Sequence, residues 1–384
     1  MRQGIDSLEL ELIRKQFPVT EEYAYLRYAS TGPPSLQTVS AAQQCMADLQ
    51  RSGMVAKANL YEQVEKVRGL AASLIGAEPA EIAFTSNTTH GLLIVAGSIA
   101  WREGDNVVTA ETEFRGNVYP WLELRRLGVQ TRFAPSHRGR ISVEGLEGLI
   151  DERTRLVALS WVEVWTGFRN DLQAIGRMCR EKGALFCVDA IQGLGALRLD
   201  VRDSYVDFMS SGGHKWLLTP LGVGFFYCRK ELLGQIIPAL VGWRSYERGH
   251  PTPLEAPLLP DCRRFEGGNP NLPGILGLGK SLQFFLDVGR SRIEDRVKGL
   301  TDHLIQGLLE RGYPLVSPAA SWSERSGIVT FDHERHDSSD LHNRLNDARV
   351  VVAKSYLPDS PGLRVSPHFF NTEAELDRLL HALP

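Results

Sequence analysis

The sequence predicts an α/β fold in which a mostly parallel sheet is flanked by helices, followed by a smaller α+β unit at the carboxy end. Three observations carry this expectation. Short apolar runs alternate with stretches of helical period from Glu81 to Lys182, the pattern of strands separated by covering helices. Three more apolar runs, Ala184–Val188, Val206–Met209 and Val223–Tyr227, follow close together, each of the length of a buried strand. Beyond Leu232 the alternation lapses into a connection rich in Pro, Gly and Arg, from Leu240 to Pro270, and then resumes with different spacing.

In chain order, Asp6 to Phe17 has the period of a short amphipathic helix, and Tyr23 to Leu26 reads as extended before the turn Ser30-Thr31-Gly32-Pro33-Pro34. Ser35 is placed to cap a helix reaching about Arg51, and a further helix fits Tyr61 to Ile75 with Gly76 closing it. Strands are expected at Glu81–Thr85, Asp105–Thr109, Gln130–Phe133 and Arg155–Trp161, with helices at Leu92–Ala100, Gly116–Leu127, Val143–Ile150 and Leu172–Lys182. The carboxy part reads as helices Leu276–Leu286 and Ile293–Arg311, strand Gly327–Phe331, helix Ser339–Asp347, strands Val350–Ala353 and Gly362–Ser366, and helix Thr372–His381. This divides the chain into an amino-terminal segment, 1–34, packing with the small domain, a large domain, 35–258, and a small carboxy-terminal domain, 259–384.

Composition bounds the function. Hydrophobic residues make up 43% and charged residues 23% of 384 residues, as in an ordinary soluble globular protein. A formal net charge of -3 gives no reason to expect nucleic acid or an acidic membrane as partner. The five cysteines are scattered and odd in number, which fits reduced thiols rather than a disulfide framework. The amino terminus lacks the apolar core of a signal peptide, and no apolar run reaches membrane-spanning length, so a cytoplasmic protein is expected.

Candidate chemistry sits where strands end. Thr88, Thr89, Glu113, Phe114, Glu163, Asp189 and Lys215 all follow expected strands, and ligands of open α/β sheets bind beyond those carboxyl ends. Lys215, between Gly212-Gly213-His214 and Trp216-Leu217-Leu218, is set among glycine and apolar neighbours that favour its neutral, nucleophilic amine. Asp189 ends a neighbouring strand and would face the same pocket. An amine and a carboxylate so placed are what pyridoxal 5′-phosphate requires: a lysine to form a Schiff base and an acid to keep the pyridine nitrogen protonated. The polar turn Ser86-Asn87-Thr88-Thr89, between a strand and a helix, is suited to the phosphate.

Other patterns carry less. Gly274 to Ser281 matches G-x-x-x-x-G-K-S, but Pro270 and Pro273 precede it where a nucleotide-binding loop needs a buried strand. Gly193-Leu194-Gly195 lacks the third glycine of a dinucleotide fingerprint, because Arg198 stands there. His333-Glu334-Arg335-His336 has the wrong spacing for a zinc helix, and no metal site is expected.

Six ordered blocks then point to a family. They are Thr85 to Gly91, Glu113 to Trp121, Val188 to Gly193, Gly213 to Trp216, Phe265 to Asn271 and Leu363 to Ser366. With them the chain resembles the class V aminotransferase family of fold-type I pyridoxal phosphate enzymes, which includes cysteine desulfurases, kynureninase and isopenicillin N epimerase-like proteins. The resemblance implies Lys215 as the Schiff-base lysine and proton carrier, Asp189 at the pyridine nitrogen and Gln192 at the ring hydroxyl. It implies Thr88, Thr89, His214 and Ser211 at the phosphate, with Asn269 reaching it from the partner subunit of a homodimer whose site is shared across the interface. It further implies Phe114 stacked on the ring, and Arg364 and Asn117 at the substrate, a small amino acid gripped by its carboxylate. No role is assigned to His90, Arg115 or Glu163.

Departures from the family pattern refine this. Phe114 replaces the histidine of cysteine desulfurases, Gly212 stands where a phosphate-binding serine is common, and Asn269 replaces a threonine. The segment Asp347 to Arg364, which carries the persulfide-forming cysteine in those enzymes, contains none. The expectation is therefore an enzyme of isopenicillin N epimerase-like or C–S lyase-like chemistry and not a persulfide-forming cysteine desulfurase. A transaminase is the alternative, and a non-catalytic binding protein with this fold the reading from another class.

Overall fold

The computed structural model describes residues 4–137, 139–247, 254–333, 336–356 and 362–384. Its strands are β1 (Ala24–Tyr25), β2 (Ile82–Thr85), β3 (Asn106–Ala110), β4 (Gln130–Ala134), β5 (Thr154–Ser160), β6 (Leu185–Asp189), β7 (Phe208–Gly212), β8 (Gly224–Cys228), β9 (Val329–Phe331), β10 (Val350–Val351), β11 (Ala353–Lys354) and β12 (Leu363–Val365). Strands β2 to β8 form one seven-stranded sheet in the order β2-β8-β7-β6-β5-β3-β4. All neighbours from β7 to β4 are parallel, while β8 runs against both β7 and β2. The mostly parallel sheet flanked by helices is the α/β architecture the sequence predicts.

Alternation along the strands builds two separate apolar layers. Ile82, Phe84, Val108, Val157, Leu159, Phe186, Val188, Met209, Phe225 and Tyr227 enter one core cluster. Ala83, Val107, Leu156, Ala158, Cys187, Phe208 and Phe226 enter the other. Side chains of period two are apolar on both faces because helices cover both, which is why these runs read as continuous hydrophobic stretches. The carboxyl ends of β3, β5, β6 and β7 therefore open along one edge.

Three helices, Leu36–Ser52, Met54–Ile75 and Leu272–Val288, pack against one another. The G-x-x-x-x-G-K-S match lies inside the last of them. A Cβ at Gly279 would collide with Val67, and one at Gly277 would come within 3.2 Å of the Thr38 carbonyl, so these glycines serve close helix packing. Buried Arg68 pairs with Glu266 at 2.6 Å, and Glu266 also accepts the Phe84 N–H at 3.0 Å, tying the end of the Pro-rich connection to β2.

Some elements differ from expectation. The helix expected at Gly116–Leu127 is a chain of short turns, Arg115–Asn117, Tyr119–Leu122 and Glu123–Leu127, broken where Val118 leaves helical angles ahead of Pro120. The helix expected from Leu92 begins at Thr88, because Asn87 caps it through the His90 N–H at 2.9 Å. The carboxy part carries an antiparallel sheet β11-β12-β9, and β1 lies parallel to β10, bringing Ala24 and Leu26 into a third apolar cluster with residues from Leu300 to Leu383. Among the described residues no helix is long and apolar enough to cross a membrane. His333 is buried, and residues 334–335 of the His-Glu-Arg-His stretch lie outside the described residues.

Candidate active site

A cavity of about 380 Å³ opens at the carboxyl edge of the sheet, and Thr88, Thr89, Phe114, Asp189, His214, Lys215 and Arg364 all line it. Lys215 is carried by the turn after β7. Leu218 closes that turn with φ 55, a left-handed conformation that is strained for a leucine, and donates its N–H to the Lys215 carbonyl at 3.1 Å. Gly32 donates to the His214 carbonyl at 2.8 Å, and a Cβ on Gly32 would collide with the Lys215 carbonyl. The next residue, Trp216, is fully buried; its carbonyl accepts from His368 Nε2 at 2.9 Å and its indole donates to Gln192 at 3.1 Å. Lys215 thus stands on a rigid pedestal.

Burial pulls the Lys215 amine down to about 8, with Asp189 acting in the opposite sense and Arg364 reinforcing the shift. Its Nζ lies 5.8 Å from the centroid of the Phe114 ring, which is half exposed at the cavity wall. Asp189 ends β6 and accepts the Ile191 N–H at 3.0 Å; burial raises its carboxyl to about 6 against the pull of that bond and of Lys215. The phosphate-type end is built by the helix start. Asn87 occupies the His90 N–H, so the Thr88 and Thr89 amides, which lie outside the helix's own ladder, remain at the cavity wall. Thr88 Oγ1 accepts the Gly212 N–H at 2.9 Å. A Cβ at residue 212 would sit 3.2 Å from His214 Nδ1 and 3.3 Å from Thr88 Oγ1, which accounts for a glycine at that position.

Arg364 is 5% exposed, donates from Nη1 to the Val164 carbonyl and from Nη2 to Ser30 Oγ, both at 2.8 Å, and keeps a buried Nε with no partner among the described residues. Arg364 lines the cavity, and a guanidinium held in place there suits an anion. A desolvated amine, a buried carboxylate, an amide-rich helix start and this guanidinium together fit pyridoxal phosphate and an amino-acid carboxylate.

Four residues named from the sequence lie off the cavity wall. Asn117 is buried between Glu113 Oε2 at 2.9 Å and the Trp121 indole at 3.1 Å. Gln192 spends both amide atoms on the protein, donating to the Ala29 carbonyl at 3.0 Å and accepting from Trp216. Ser211 is buried and donates to the Gly212 carbonyl at 3.1 Å, and Asn269 is exposed and accepts from Tyr61 at 3.3 Å. Sequence reasoning missed Arg27, Trp165, Lys354 and Tyr356, which the small unit and its neighbours bring to the cavity mouth.

The strand ends also bury acids behind the wall. Glu113 accepts the Ser160 N–H at 2.5 Å and hydroxyl at 2.6 Å, and Glu163 accepts from Thr112 at 3.1 Å and Asn170 at 3.0 Å. Burial and mutual repulsion hold the Glu113 carboxyl well above the usual range; burial, with Asp189 adding, raises Glu163.

The family model for aminotransferase class-V matches residues 24–379. The chain belongs to this family. A probable cysteine desulfurase of Methanothermobacter thermautotrophicus is 30% identical, the match covering 97% of this chain and 96% of that protein. Two solved structures of the cystine C–S lyase C-DES, each 25% identical, are similar throughout. A mutant with glycine covalently linked to the PLP cofactor has a TM-score of 0.89, with 96% of this chain and 98% of that one covered. The complex with its reaction product, cysteine persulfide, has a TM-score of 0.87, with 95% and 98% covered. The class-V chain takes pyridoxal 5′-phosphate as its cofactor.

These relatives correct one expectation. The missing cysteine between Asp347 and Arg364 was a reason to exclude cysteine desulfurases, and a relative of that name over nearly the whole chain overturns the exclusion. The physical reason is that a persulfide need not form on the protein: the product in the C-DES complex carries it on a free cysteine. Residues 357–361 of that segment lie outside the described residues.

An early consequence of the Lys215 environment concerns cofactor loading. If Lys215 is the residue that would bond the cofactor aldehyde, only its neutral amine would react, and that fraction grows with pH up to the amine's own value. The rate of covalent loading of apoprotein, followed by mass after borohydride trapping, is expected to rise about tenfold per pH unit below 8 and to level off above it. A rise continuing towards 10.5 would show an ordinary, solvated lysine.

Proposed function

We propose that this class-V enzyme cleaves the Cβ–S bond of a small cysteine-type α-amino acid. One observation carries the reading: a desolvated lysine and an arginine with an orphaned Nε share one cavity with the phosphate-type helix start. The names of the relatives favour C–S cleavage over epimerisation and transamination.

When bound, pyridoxal phosphate supplies an electron sink that makes the Cα proton acidic. Thr88, Thr89 and His214 hold its phosphate, Asp189 holds the proton on its ring nitrogen, and Phe114 offers a ring face. Arg364 binds the substrate carboxylate with a planar fork that fixes the amino acid's orientation. Lys215, its amine lowered to about 8 by burial, would take the proton from Cα. The Cβ–S bond would then break, its electron pair leaving with sulfur in elimination or staying on Cβ, which is protonated, where an acceptor thiolate takes the sulfur. Gln192 supports from behind, locking Trp216 and Ala29, and Asn117 positions Glu113 and Trp121. Asn269, bonded to Tyr61 away from its own cavity, serves the site of a second subunit in a homodimer.

The test is product analysis with L-cysteine and L-cystine. Pyruvate with ammonia and a sulfur product indicates elimination, and alanine indicates transfer of sulfur to an acceptor; either supports C–S cleavage. Deuterium exchange at Cα with no sulfur product, or turnover only with an added 2-oxo acid, would overturn it.

A further inference from the structure

We infer that Arg27 is a specificity-determining residue which, beside Arg364, selects α-amino acids whose side chain ends in a second anionic group, such as a sulfinate or an S-sulfonate. The inference deepens the C–S cleavage reading of the same site and rests on it for the class of substrate.

Arg27 reaches the cavity from the segment after β1, where it bridges Ser366 beside β12, the strand that carries Arg364. Both guanidinium residues line the cavity. Arg364 is fixed by Val164, Ser30 and the face of Trp165, whose ring centroid lies 5.7 Å away. Arg27 has no hydrogen-bonded or ion-paired side-chain partner among the described residues. Lys354 also lines the wall, but its amine is held by the Ser339 hydroxyl at 2.9 Å and its charge is felt by the Asp337 carboxylate, so it is less available to a ligand than Arg27.

Among the described residues the lining holds Arg27, Lys215, Lys354 and Arg364 with one acid, Asp189. Asp189 is matched by the cofactor ring, the phosphate lies at the Thr88, Thr89 and His214 end, and one substrate carboxylate matches Arg364. Arg27 then still faces the cavity unmatched. Its positive charge, after burial, is a cause that lowers Arg364 to about 10, so the two cations feel each other across the site. Like charges in a partly desolvated cavity repel, and a ligand bearing two anions relieves more of that repulsion than a ligand bearing one. Trp165 and Tyr356, edge to face at 5.8 Å, also line the cavity.

The experiment titrates the cofactor-loaded protein with L-aspartate and L-cysteine sulfinate, and with L-alanine and L-serine, reading the change in visible absorbance on binding. The two-anion probes are expected to saturate at concentrations about tenfold or more below the one-anion probes. Arg27→Gln removes that preference, and Arg27→Lys keeps part of it. Equal saturation by both classes in the unaltered protein overturns the inference without any variant. Equal weakening of both classes by Arg27→Gln also overturns it, since Arg27 would then be a second ligand of the α-carboxylate. A preference that is present and lost in Arg27→Gln, with no sulfur product from any substrate, sinks the C–S cleavage reading and leaves this one standing.

Discussion

Lys215→Ala is expected to lower turnover by about 10³-fold or more, because on the proposed reading it removes both the covalent anchor of the cofactor and the base at Cα. Borohydride treatment should then leave no cofactor mass on the chain. The variant is expected to fold at least as well as the parent: Lys215 is an amine whose charged form is penalised by burial, and alanine lifts that penalty. Loss of activity with an unchanged or raised Tm separates a chemical role from a structural one. A variant that keeps more than about a tenth of the activity would move the chemistry to another residue.

Arg364→Ala is expected to raise KM for amino-acid substrates by about 100-fold, the worth of a buried charge-assisted fork, while cofactor content stays near that of the parent. Arg364→Lys should recover little, because an ammonium cannot keep the Val164 carbonyl and Ser30 Oγ while presenting a planar face to a carboxylate. KM and kcat measured beside the absorbance of bound cofactor decide the matter. Loss of cofactor instead of substrate affinity would place Arg364 in the support of the ring pocket.

The sheet was legible because its strands are apolar on both faces and bracketed by turn signals. The helix Leu172–Lys182 could be read to the residue, since Asp171 caps one end and Gly183, at φ 74, closes the other. The start at Thr88 was hidden, because Ser86, Asn87 and Thr88 compete as caps and only three-dimensional geometry chooses Asn87. The stretch around Pro120 was misread as one helix because its apolar spacing is helical while Asn117 and Trp121 bond each other locally. At the site, residues that follow strand ends converge by topology, so Thr88, Phe114, Asp189 and Lys215 were legible. Gln192 and Asn117 were named, through the family resemblance, at the ring hydroxyl and the substrate, but their bonds run to Ala29, Trp216 and Glu113 on other elements, which the sequence does not show. Arg27 carried no signal, since an arginine between Leu26 and Tyr28 reads as the solvent face of an edge strand. The exclusion of desulfurases failed because it inferred chemistry from a missing side chain that a second molecule can replace.

The buried acids at the ends of β3, β5 and β6 have a consequence for the life of the empty chain. Glu113 and Glu163 hold protons in the folded state that they would release on unfolding near neutrality, so folding loses strength as pH rises above the ordinary carboxyl range. On the proposed reading a cationic ring held by Asp189 would bring positive charge to that corner and ease ionisation there, so the cofactor would be a countercharge for the scaffold as well as a reagent, and cofactor-free protein is expected to lose stability first as pH rises.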